Sequence, residues 1–115
     1  MTDNGRLLRI LLAEDNPIDV LMTREALETW DIQNILYVVQ DGQEAVDFLY
    51  RRGVYSDAER PDLMLLDLNL PKKSGIEILS EIRQDPHLSN ITVLVVSTSC
   101  SEEHARMCYE LGAKL

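Results

Sequence analysis

The order of apolar runs along this chain predicts an α/β domain built on a doubly wound parallel sheet. Two observations carry that expectation. Four short runs, Leu8–Ala13, Ile35–Val39, Leu63–Leu68 and Ile91–Val96, are nearly continuous in apolar residues, as strands covered on both faces of a parallel sheet are. Their starts fall 27 or 28 residues apart, the length of a strand, a turn, a helix and a second turn.

The stretches between the runs read as helices. After the first strand, Pro17 suits a first helical position, and Ile18, Met22 and Ala26 recur at four-residue steps. Leu21, Leu27 and Trp30 widen that stripe into the face expected to pack. After the second strand, Asp41 and Glu44 resemble a capping box ahead of Ala45, Val46, Phe48 and Leu49. The third helix carries Ile78, Leu79 and Ile82 and ends before Asp85-Pro86. The fourth begins near Ser101-Glu102-Glu103 and stops at Gly112. The longest loop, 51–62, is rich in charge and holds Gly53 and Pro61.

Composition narrows the function. At 115 residues the chain is one domain, able to bury a core without disulfides or structural metal. Cys100 and Cys108 stand eight apart, neither zinc spacing nor a redox pair. No run approaches a membrane span, and Met1–Arg6 lacks the basic and apolar regions of a secretory signal, so a cytoplasmic location is expected. Eleven basic residues against twenty acidic give a net charge of −9, which disfavours direct binding to nucleic acid.

The carboxylates are placed where chemistry is expected. In open α/β sheets, ligands gather beyond the carboxyl ends of the strands. The first run closes on Glu14-Asp15, the third is interrupted by Asp67, and the fourth ends at Ser97-Thr98. Acids at such positions can simply cap the helices that follow, and Asp41 is read that way. Three converging carboxylates raise one another's pKa unless a cation neutralises them, and a hard ion such as Mg²⁺ takes oxygen ligands of this kind. An aspartate beside such an ion can act as a nucleophile toward phosphorus, with Asp67 central and the Ser97 hydroxyl opposite it.

These motifs resemble the CheY-like receiver domains of two-component response regulators over nearly the whole chain. Glu14-Asp15-Asn16 is similar to the family's acidic pair after the first strand. Leu65-Leu66-Asp67-Leu68-Asn69-Leu70-Pro71 is similar to the segment around its phosphorylated aspartate. Ser97 lies 30 residues beyond Asp67, as the family's switch hydroxyl does, and Leu111-Gly112-Ala113 is similar to the end of its fourth helix. The resemblance implies a flavodoxin-like receiver fold and Mg²⁺ held by Asp15, Asp67 and the Asn69 carbonyl, with Glu14 acting through water. It implies self-catalysed phosphoryl transfer from a sensor histidine kinase onto Asp67, and hydrolysis there, rather than turnover of an outside substrate. The 51–62 loop and the run Arg60–Gly75 look most like the small receivers paired with bacterial phytochrome kinases.

One departure bears on these expectations. The family has a fifth strand and helix, with a lysine ending that strand, and by spacing this lysine falls beyond Leu115. Lys114 stands too early for the role. The chain then reads as residues 1–115 of a receiver truncated before its fifth βα unit, or as a degenerate receiver acting as a phosphorylation-independent interaction module. Without a fifth strand, Ile91–Val96 is an open edge, and residues 1–115 alone are expected to form a homodimer through it, to aggregate, or to be the ordered part of a longer chain. Other aspartate- or phosphate-using classes fit less well. A flavodoxin needs a Ser/Thr/Gly-rich phosphate loop after the first strand, nucleotide-binding enzymes need glycine motifs that are absent, and aspartyl phosphohydrolases carry a second acid where Asn69 stands.

Overall fold

The computed structural model describes residues 7–67, 70, 72–95 and 106. Four parallel strands, β1 (Leu8–Ala13), β2 (Asn34–Val39), β3 (Leu63–Leu66) and β4 (Thr92–Val95), form one sheet in the order β2-β1-β3-β4. Three α-helices connect them: α1 (Pro17–Glu28), α2 (Gly42–Leu49) and α3 (Gly75–Gln84). This is the doubly wound fold expected, with the chain reversing direction across the sheet at β1.

Alternation along the strands divides the core between two faces. Leu11, Ala13, Met64, Leu66, Val93 and Val95 point to one side, where they meet Ala45, Val46, Phe48 and Leu49 of α2 and Ile78, Leu79 and Ile82 of α3. Ile10, Leu12 and Leu65 point to the other, where Leu27 of α1 joins them. Both faces are covered, which is why the runs read as continuous rather than alternating.

Local chemistry explains the helix ends. Asn16 caps α1, its Oδ1 accepting from Ile18 N at 2.9 Å and Asp19 N at 3.3 Å, and Pro17 follows at a position where the missing N–H costs nothing. Asp41 caps α2 by accepting from Glu44 N at 2.8 Å, while the Glu44 side chain reaches back to Gln40 N. A capping box between Ser74 and Glu77 opens α3. Within the 51–62 loop, Gly53–Tyr55 forms a short 3₁₀ turn, and Tyr55 rests on Phe48 at a ring-centroid distance of 5.3 Å.

Some boundaries and one face differ from the sequence expectation. β2 starts one residue earlier, at Asn34, and β4 one later, at Thr92; β3 stops at Leu66. On α1, the residues that turn toward the sheet are Val20, Thr23 and Leu27, while Ile18, Leu21 and Met22 are more than half exposed. Trp30, expected to pack, is also exposed. Of the face expected from the sequence, Leu27 packs as expected while Ile18, Leu21, Met22, Ala26 and Trp30 lie toward solvent, because the helix meets the sheet through the narrower stripe Val20, Thr23 and Leu27. The expected fourth helix lies outside the described residues apart from Arg106, which is helical, and among the described residues β4 is an outer strand of the sheet, paired to β3.

A close approach holds α2 to the loop that precedes α3. A Cβ built on Gly42 would fall on the carbonyl oxygen and Cβ of Lys73. Beside it, Lys72 Nζ stands 3.4 Å from the Asp41 carboxylate. We expect Gly42→Ala to lower stability by about 1–3 kcal/mol, because the obstacle is backbone that cannot swing away. Denaturant unfolding checks it, and an unchanged midpoint would show that the loop yields freely.

Candidate functional site

The sheet ladder brings the acids together. Glu14 directly follows β1, and its N–H still donates to Val39 O of β2 at 3.0 Å. Asp67 directly follows β3, and its N–H donates to Ala13 O of β1 at 3.1 Å. Two adjacent parallel strands therefore end side by side, each releasing a carboxylate at the same rim. Asp15, one residue further, enters the turn into α1. One carboxylate oxygen from each of Glu14, Asp15 and Asp67 lies within 4.8 Å of the others.

The three differ in environment. Glu14 is 4% exposed, Asp67 half-buried and Asp15 open to solvent. Burial pushes the Glu14 carboxyl up to about 7. The Asn16 N–H, donating to its Oε2 at 3.2 Å, opposes that shift, and the hydrogen-bonded, charged Asp67 carboxylate adds to it. A buried acid beside a second acid is unfavourable when ionised, and a divalent cation with oxygen ligands relieves the conflict. The donor set therefore fits a hard divalent metal: two partly accessible carboxylates for direct contact and a buried one behind them.

Asp41, expected only to cap, does more. Its carboxyl lies below its ordinary value, chiefly through the Glu44 N–H and, against the cost of burial, through Lys72. It ties the start of α2 to the segment after Asp67. That ion pair joins residues 31 apart, so no local pattern announced it. The two remaining candidates, Asn69 and Ser97, lie outside the described residues.

A doubly wound sheet carrying an acidic cluster at the carboxyl ends of its first and third strands offers a place for a divalent metal, and comparison with known proteins makes the class specific. Residues 10–115 match the response regulator receiver domain, and the chain belongs to that family. It is 46% identical over 102 residues to the response regulator Rcp1 of Synechocystis sp., covering 89% of this chain and 69% of Rcp1. The solved structure of the phosphorylated cyanobacterial phytochrome response regulator RcpA superposes with a TM-score of 0.89 at 44% identity, over 94% of this chain and 77% of RcpA. The Mn²⁺-bound form of Rcp1 gives 0.88 at 45% identity, over 91% of this chain and 76% of that one. The chain is thus the receiver domain of a two-component response regulator, closely related to phytochrome-associated regulators. No helix among the described residues is long and apolar enough to cross a membrane.

The Glu14 environment generates a pH dependence. The native carboxyl titrates at about 7 and the ordinary value is 4.5, so between the two the folded state binds more protons than the unfolded. In the presence of a chelator, stability falls as pH rises through that window. Glu14→Gln, which cannot ionise, should flatten the slope and stabilise the metal-free protein above pH 7 by up to about 3 kcal/mol. Thermal melts in chelator across this range measure it; equal slopes for both proteins would place the strain elsewhere.

Proposed function

We propose that the chain is a phosphorylation-driven cytoplasmic relay whose acceptor is Asp67. The observation that carries the proposal is the position of Asp67, at the end of β3 and hydrogen-bonded through its backbone to β1, beside Glu14 and Asp15. Its carboxylate oxygen attacks the phosphorus of a kinase phosphohistidine, a P–O bond forms as the P–N bond breaks, and imidazole leaves. Of the described acids, Asp67 combines partial burial with access: Glu14 is too enclosed to attack and Asp15 stands in open solvent.

Mg²⁺ is the ion proposed for this site, held by Asp15, Asp67 and the Asn69 carbonyl, with Glu14 acting through water. Bound there, it screens the repulsion between an anionic nucleophile and an anionic phosphoryl group. Ser97 is proposed to donate its hydroxyl to a phosphoryl oxygen once Asp67 is modified, so that the phosphorylated rim differs in hydrogen bonding from the free one. The Asp41–Lys72 pair holds the start of the segment that follows Asp67 and Asn69 against α2, so a change at Asp67 is felt at that helix.

The partner proposed is a sensor histidine kinase of phytochrome type. This rests on the similarity to RcpA and Rcp1 and on the acidic surface, which leaves protein rather than nucleic acid as the target. Residues 1–115 are proposed to belong to one receiver domain.

Acetyl phosphate with Mg²⁺ should add a single phosphoryl group, detected by intact-mass spectrometry, and Asp67→Asn should abolish it. Asp15→Asn should slow the reaction at least about tenfold by weakening the ion's hold. An adduct that persists in Asp67→Asn would assign the acceptor to another residue.

A further inference from the structure

At the opposite end of the sheet, where the strands begin, two recesses of about 380 and 300 Å³ adjoin. Arg51 and Arg60 line both of them. The first continues between Arg9 and Asn90 at the foot of β1 and β4. The second runs over Leu49, Leu88 and the Tyr50 ring, with Leu49 and Leu88 buried as its floor.

The acids around these recesses are already engaged. Glu59 holds Arg9 Nε at 2.9 Å, and Asp62 accepts from Arg9 N at 2.9 Å. Asp85 accepts from His87 N at 2.8 Å and from the Tyr50 hydroxyl. The guanidinium groups of Arg51 and Arg60 form no hydrogen bond or ion pair among the described residues. Arg24 and Arg106 are likewise unpaired among the described residues, but Arg51 and Arg60 stand together at one mouth in a chain of net charge −9, whereas Arg52, Lys72 and Lys73 are paired to acids.

The backbone holds this arrangement. Arg51 ends α2 in a left-handed conformation, φ 58°, a position that helix ends usually give to glycine. An arginine there keeps a long cationic side chain at a conformational cost. Arg60 precedes Pro61, which restricts it to extended backbone. The opposite wall is fixed by Arg83, whose Nη1 donates to Ser89 O at 2.9 Å and Ile91 O at 3.0 Å.

We propose that these joined recesses bind a small organic acid, its carboxylate or phosphate monoester taken by Arg51 and Arg60 and its flat apolar body laid over Leu49, Leu88 and Tyr50. Planar guanidinium forks match an oxyanion through paired hydrogen bonds, and the adjoining apolar floor favours a ligand with a hydrophobic portion over a bare ion. The site is separate from the acidic rim and its occupancy does not depend on phosphoryl chemistry.

The test follows backbone amide shifts of the full chain by NMR while titrating naphthoate, naphthyl phosphate, naphthalenemethanol or inorganic phosphate. Saturable shifts at Arg51, Arg60, Leu88 and Asn90 are expected with at least one of the two aromatic acids, and the stronger of them identifies the head group. The neutral alcohol and the bare phosphate should each bind at least about tenfold more weakly. Arg60→Gln and, separately, Arg51→Gly, which suits the left-handed turn, should each weaken the aromatic acid severalfold with the rest of the spectrum unchanged. Absence of saturation with both aromatic acids, shifts confined to other surfaces, equal binding by the alcohol or by bare phosphate, or undiminished binding by both variants would overturn the proposal.

Discussion

Two adjacent parallel strands, β1 and β3, end at the same height and each releases an acid there, and much of the molecule's architecture serves that placement. The hydrogen bonds Glu14 N to Val39 O and Asp67 N to Ala13 O extend the ladder one residue beyond the strands, so neither carboxylate can drift from the other without breaking sheet pairing. The cost shows in Glu14, buried at 4% exposure with its carboxyl pushed up to about 7. The fold stores like-charge repulsion at one rim and leaves a cation, or a proton, to relieve it.

The core on both sides keeps the strands from shifting. Leu11, Ala13, Met64 and Leu66 pack under α2 and α3, and Ile10, Leu12 and Leu65 pack under α1. A register slip of one residue would exchange these two sets and turn the acids away from each other. On the α2 side, the Gly42 contact with Lys73 and the Asp41–Lys72 pair fasten the segment after Asp67 to the neighbouring helix. Lys72 and Lys73 are thereby joined to the start of α2.

The sheet and the acid cluster were legible in the sequence for physical reasons. Strands buried on both faces leave short apolar runs, whose regular spacing of 27 or 28 residues marks βα units, and an acid closing such a run, as Glu14 and Asp67 do, stands out against it. The orientation of α1 was not legible. Leu27 was expected to pack and does, but periodicity alone cannot choose which side of it carries the stripe, Ile18-Leu21-Met22 or Val20; the sheet chooses, by admitting a narrow ridge against Ile10, Leu12 and Leu65. The Lys72–Asp41 pair and the Gly42 contact were equally hidden, because each joins residues about thirty apart through the turn of the whole fold. Asp41 looked like a cap, and is one; its second partner needed three dimensions.

The central claim is that Glu14, Asp15 and Asp67 act as one unit whose repulsion a divalent ion relieves. Electron paramagnetic resonance of bound Mn²⁺, followed from about pH 6 to about pH 8, tests it most directly. The account requires affinity to rise several-fold across that range as the ion displaces the Glu14 proton, with the rise lost in Glu14→Gln and the binding itself lost in a combined Asp15→Asn, Asp67→Asn variant. Affinity independent of pH in the native protein, or Mn²⁺ held equally well without Asp15 and Asp67, would contradict it.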